Sequence, residues 1–89
     1  MSAWAAAAMV LLGATAYDAT FERAAAAYNA GEYAVAEKLY EQLVAEGVVS
    51  APVFYNLGNT YYQQGRLGPA IANYERALYQ DPHFENARA

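Results

Sequence analysis

The sequence predicts an all-α protein of two antiparallel helix pairs, and three observations carry that expectation. Apolar residues recur at helical spacing through most of residues 17–84. Glycine and proline fall where such helices would have to stop. The pattern of the first half is restated in the second. Alanine and tyrosine are abundant and proline is scarce, which favours helices over strands. Apolar residues make up 57% of the chain, too many for a disordered one.

Met1 to Ala16 stands apart, because it holds no charged side chain and charges recur from Asp18 onward. Two readings of it compete. Ala3–Leu12 has the length of the apolar part of a secretory signal, and Ala14-Thr15-Ala16 fits a small-x-small cleavage pattern, although no Lys or Arg precedes the run. Alternatively it is an alanine-rich helix packed on the rest, with Trp4, Ala8, Leu11 and Leu12 on one face. It is short for a membrane span, which needs about 20 apolar residues.

In the first pair, Phe21, Ala24 and Tyr28 mark a helix near 18–30 that Asn29-Ala30-Gly31 breaks. Ala36, Leu39, Tyr40, Leu43 and Val44 mark a helix near 33–46 that stops at Gly47. In the second pair, Ser50 is placed to cap a helix near 51–64, and Pro52 is tolerated in its first turn. Phe54, Leu57, Gly58 and Tyr61 then follow the i, i+3, i+4, i+7 rhythm of one face, and Gly65 offers a stop. Pro69 suits an early position of a helix near 68–80, whose apolar face reads Ala70, Ile71, Tyr74, Ala77 and Leu78. Asp81-Pro82 ends it, since the residue before a proline avoids the α region. A fifth helix is expected to begin around Phe84.

Shifting the chain by 34 residues aligns Tyr28 with Tyr62, Gly31 with Gly65, Ala36 with Ala70, Tyr40 with Tyr74 and Glu41 with Glu75. The matches fall on small and aromatic positions, which packing constrains most. Gly58 with Ala70, and Ala24 with Ala36, sit where paired helices would approach closely.

Phe54-Tyr55-Asn56-Leu57-Gly58-Asn59, Tyr61-Tyr62, Gly65, Ala70-Ile71, Tyr74, Ala77-Leu78 and Asp81-Pro82 closely resemble a tetratricopeptide repeat (TPR). The resemblance covers 51–84 almost completely and 17–50 more weakly. In the first unit Arg23 replaces a large apolar residue, Ala27 an aromatic, and Val48 a common proline. It implies a right-handed superhelix of about two repeats (17–50 and 51–84) with the start of a third at 85–89. Tyr-Asn-Leu-Gly-Asn, Gly-Arg-Leu-Gly-Pro-Ala-Ile and Tyr-Glu-Arg-Ala-Leu are also similar to the repeat segment of bacterial aerotolerance-operon proteins. That narrower resemblance implies an exported, membrane-associated protein with further regions after the repeats. Any membrane association would then run through regions outside this sequence, and the end at Ala89 suggests a piece of a longer chain. A cytoplasmic protein is the alternative.

The resemblance also implies that the first helix of each pair lines a concave face where a protein or peptide binds. The residues expected there are Phe21 and Tyr28 in the first unit and Tyr55, Asn56, Asn59, Tyr62 and Gln63 in the second, with Glu22, Ala25 and Asn29 beside them. Asn and Gln both donate and accept, which suits reading an extended backbone, and Tyr adds rigid area with a polar tip. The bland alternative is that the asparagines satisfy neighbouring backbone and the tyrosines stack between repeats. A carboxylate clamp is not supported, because Phe21 and Ala25 stand where it uses Lys and Asn.

Other classes are disfavoured. The formal charge is −4 and Arg23, Lys38, Arg66, Arg76 and Arg88 are scattered, so no phosphate-binding stripe forms and nucleic acid is not an expected partner. There is no cysteine, no metal-ligand spacing and no phosphate loop, so neither metal nor cofactor is expected. The lone His83 reads as a solvated turn residue rather than a general base, and no enzyme is expected. Glu37, Lys38 and Glu41 read as a solvated helix face. A second functional reading is self-association, with Tyr74, Ala77 and Leu78 left without cover where the next helix should pack, making a homo-oligomer possible.

Overall fold

The computed structural model describes residues 18–84. Helix α1 covers 18–29, α2 Tyr33–Ala45, α3 Ala51–Gln63 and α4 Leu67–Gln80, with no strand among the described residues. Each end lies within a residue or so of its expected place. The two readings of residues 1–16 and any helix after Phe84 lie outside the described residues, and Phe84 itself is not helical.

The first three helices end by one shared cause, and α4 ends at the extended Asp81 before Pro82. Gly31, Gly47 and Gly65 take φ of 79°, 88° and 75°, the left-handed region where a Cβ is strained. After each, the next residue's N–H reaches back over a full turn: Glu32 to the Ala27 carbonyl at 2.9 Å, Val48 to Leu43 and Arg66 to Tyr61 at 3.0 Å. This closure satisfies carbonyls that the helix end would leave bare. At the other end of α3, the Ser50 hydroxyl accepts the Val53 N–H at a long 3.5 Å, and Pro52 sits in the first turn. The short turns at 30–32 and 64–66 fold each helix back on its partner.

α3 is the central element. Ala51, Val53, Phe54, Leu57, Gly58, Thr60 and Tyr61 are buried, so most of its circumference is covered. The main core joins Ala24 and Ala27 of α1, Ala36, Tyr40 and Leu43 of α2, Val53, Leu57 and Tyr61 of α3, and Ala70 of α4. Alanines occupy the points of closest helix approach, as the sequence suggested for Ala24, Ala36 and Ala70. Gly58 is tighter still: a Cβ there would lie 2.7 Å from the Tyr74 ring and 3.1 Å from the Ala70 carbonyl oxygen. The buried Thr60 hydroxyl is satisfied within its own helix by the Asn56 carbonyl at 2.7 Å.

Three expectations need correction. Ile71 is 56% exposed, and Asn73 takes the buried place instead. Asn73 tolerates burial because its amide donates to the Pro69 carbonyl at 2.8 Å and its oxygen accepts from Arg76 at 3.2 Å. Ala77 is not waiting for a further helix, since it is fully buried with Ala51 and Phe54, and Val44, Tyr55 and Phe84 pack around them. Tyr74 and Leu78 are half-buried, and the large apolar side chains that α4 exposes are Leu67, Ile71 and Tyr79.

The third correction concerns Glu37 and Glu41, which are half-buried rather than a solvated face. Glu41 accepts the Tyr61 hydroxyl at 2.5 Å. Glu37 accepts from Gln64 at 2.9 Å and pairs with Arg66 at 3.2 Å. The Arg66 guanidinium also lies 4.7 Å from the centre of the Tyr61 ring. Together these side chains clasp α2 to the α3–α4 turn.

The clasp has a pH signature. Burial pushes the Tyr61 hydroxyl up to about 12, helped by its hydrogen bond to Glu41 and the charges of Glu41 and Glu37, while Arg66 opposes. Burial also raises Tyr40 and Tyr74 above the ordinary tyrosine value of 10.0. The folded chain therefore holds these protons where the unfolded chain releases them. The associated stability is fully present below the unfolded value and is lost as pH rises through the folded one. Urea midpoints should fall from about pH 10 towards about pH 12, and Tyr61→Phe should flatten that fall. An unchanged slope in the variant would show that Tyr61 does not carry it.

Candidate functional site

α1 and α3 face a common cleft with the edge of α2 at its floor. Ala25, Tyr28 and Asn29 come from α1, Tyr40 from α2, and Asn56 and Asn59 from α3, enclosing about 180 Å³. Helical spacing explains the set. Residues 25, 28 and 29 share one face of α1, and 56 and 59 share one face of α3. Ala25 is small, so the cleft stays open opposite the asparagines.

The asparagines are held in defined ways. The Tyr74 hydroxyl donates to Asn59 Oδ1 at 2.5 Å, which leaves the two Nδ2 hydrogens of Asn59 for an occupant. The side chain of Asn56 faces the Tyr40 hydroxyl. Burial raises Tyr40 above the ordinary tyrosine range, Asn56 pulls it back, and neighbouring Tyr28 adds to the rise. Tyr40 is 1% exposed, so its ring belongs to the core while its hydroxyl meets the Asn56 side chain at the cleft wall. The arrangement is rich in uncharged donors and acceptors and contains no group of three or more His, Asp or Glu placed to hold a metal ion among the described residues.

Of the residues expected to bind, Tyr28, Asn56 and Asn59 come together here. Phe21 does not: it packs edge-on against Tyr40 at 5.9 Å and lines a separate depression. Tyr55 is turned away to Tyr74 and Phe84, at ring distances of 5.8 and 5.4 Å. Tyr62 and Gln63 are exposed beyond the cleft. His83 is exposed in the turn after α4, its N–H on the Asp81 carboxylate at 3.0 Å.

Two groups escaped the sequence reading, the hydroxyls of Tyr40 and Tyr74. A signal for them existed, since the repeat aligns these two tyrosines. Each presents its hydroxyl to an asparagine of α3.

The span that holds α3 and α4 decides the family likeness. Residues 51–84 match the tetratricopeptide repeat family model. The matched repeat starts at the first residue of α3 and ends at Phe84, past the α4 cap. The α1–α2 pair lies before it and shares its helix–turn–helix plan and its glycine closure. Tetratricopeptide repeats generally mediate protein–protein interaction. No curated protein matches the chain. No helix among the described residues is long and apolar enough to cross a membrane.

Proposed function

We propose that the chain is a two-repeat tetratricopeptide scaffold that binds an extended segment of a partner protein in the α1–α3 cleft. The carrying observation is the convergence of Tyr28, Asn29, Tyr40, Asn56 and Asn59 on one cleft, with Asn59 oriented by Tyr74. About 180 Å³ is less than the roughly 300–1,000 Å³ that drug-sized ligands need, yet it accommodates a few peptide groups. Side-chain amides that offer donors and acceptors from two helices suit a backbone lying between them.

A selection of displayed random peptides on the whole chain tests this. Asn56→Ala/Asn59→Ala should weaken the selected peptides roughly ten-fold or more, as expected for two lost hydrogen bonds of about 0.5–1.5 kcal/mol each. Losing the Tyr74–Asn59 bond should itself cost about 0.5–1.5 kcal/mol and lower the circular-dichroism melt by several degrees, so binding is compared at a temperature where both proteins are fully folded. Undiminished capture would remove the cleft as the binding site.

A further inference from the structure

The seam between α1 and α3 carries two concavities in succession. Near the start of both helices, Asp18, Phe21 and Glu22 of α1 and Ser50 and Pro52 at the head of α3 line a depression of about 450 Å³. Farther along lies the tyrosine–asparagine cleft. Asp18 and Glu22 are both exposed and sit one turn apart on the same face of α1. α3 carries no charged residue. No Lys or Arg lines either concavity among the described residues: Arg23 belongs to another surface with Val35 and Leu39, and Arg66 is paired with Glu37.

We propose that the occupant is an internal, uncharged stretch of extended peptide with a Lys or Arg about three residues away, and not a chain end presenting its carboxylate. This rests on the cleft being the binding site. A carboxylate entering the cleft would find amides and hydroxyls but no cation, and two carboxylates would stand at the neighbouring depression; desolvating an anion there is costly. A cationic side chain meets the opposite situation at Asp18 and Glu22. The spacing follows from helix geometry. The centre of the acidic pair lies about seven residues before the centre of the Ala25–Asn29 edge, on the order of 10 Å at 1.5 Å per residue. An extended chain covers that in about three residues.

Displayed random peptides flanked by constant sequence, so that no random segment ends in a free carboxylate, provide the probe. Selection should enrich Lys or Arg at a fixed offset of about three residues from an uncharged stretch. The best peptide, synthesised with an amidated C-terminus, should bind Asp18→Asn/Glu22→Gln about five-fold more weakly than the parent at low salt, and the gap should close in roughly 0.5 M NaCl. These two residues are exposed, so the variant keeps its fold, which a melt confirms. Selected peptides rich in Asp or Glu, or unaffected by the Asp18/Glu22 variant, would overturn the inference while leaving the cleft standing. Peptides indifferent to Asn56→Ala/Asn59→Ala, or no selected peptides at all, would overturn the cleft and the inference together.

Discussion

Replacing Leu57 with alanine should remove about 2–5 kcal/mol of stability, the range for a buried leucine whose cavity cannot collapse. The reason lies in the make-up of the core. Ala24, Ala27, Ala36 and Ala70 hold the helices close but bury little area each. The burial that drives folding therefore falls on a few large side chains, of which Tyr40, Leu43, Val53 and Leu57 are essentially sealed from solvent. Leu57 is 1% exposed on the helix that every other element packs around. The surrounding alanines have no long side chains that could swing in to fill the gap. For a domain of this size each kcal/mol is worth roughly 4–8 °C, so the melting temperature should drop by about 8–40 °C. Thermal and urea unfolding followed by circular dichroism would measure it. A loss under about 1 kcal/mol would mean that the core around Leu57 rearranges to fill the hole.

The parts of the fold legible in the sequence are those with local causes. Gly31, Gly47 and Gly65 set helix ends through backbone freedom at a single residue, and Asp81-Pro82 and Ser50 act over one turn, so spacing alone located them. The parts that were not legible depend on distant partners. Glu37 and Glu41 look like an ordinary charged helix face until Tyr61, Gln64 and Arg66 arrive from 20 to 29 residues away. Ile71 and Asn73 exchanged roles because residue 71 lies at the edge of the α4 apolar arc, and because Asn73 can satisfy its amide on its own helix.

The site shows the same division. Asn56 and Asn59 stood out as polar residues on a helix otherwise mostly buried, and they do line the cleft. Tyr55, Tyr62 and Gln63 share their outward arc, but the arc is wider than the cleft. Periodicity assigns Tyr40 to the core, where its ring does lie; it has no means of showing that the hydroxyl at the ring's far end meets Asn56 of the cleft.

Gly58→Val should cost about 2–3 kcal/mol and should weaken peptide capture as well, because Gly58 links helix packing to the cleft. Overpacking costs about 1–3 kcal/mol, and the helix preference of valine over glycine returns only about a few tenths. The displaced group is the Tyr74 ring, which a Cβ would meet at 2.7 Å. Tyr74 cannot yield freely, since its hydroxyl is bound to Asn59 Oδ1 at 2.5 Å. Moving the ring breaks that bond, adds about 0.5–1.5 kcal/mol, and frees the Asn59 amide to turn away from the cleft. Urea unfolding reads the first effect, and affinity for a selected peptide reads the second. Two comparisons isolate the cause. Gly68→Ala, at a helical glycine with nothing within 4 Å, should be neutral or mildly stabilising. In a Tyr74→Ala background the cost of Gly58→Val should shrink, because the ring it collides with is gone. Equal costs in both backgrounds would place the strain at the Ala70 carbonyl, 3.1 Å from the same Cβ position, and would uncouple Gly58 from the cleft.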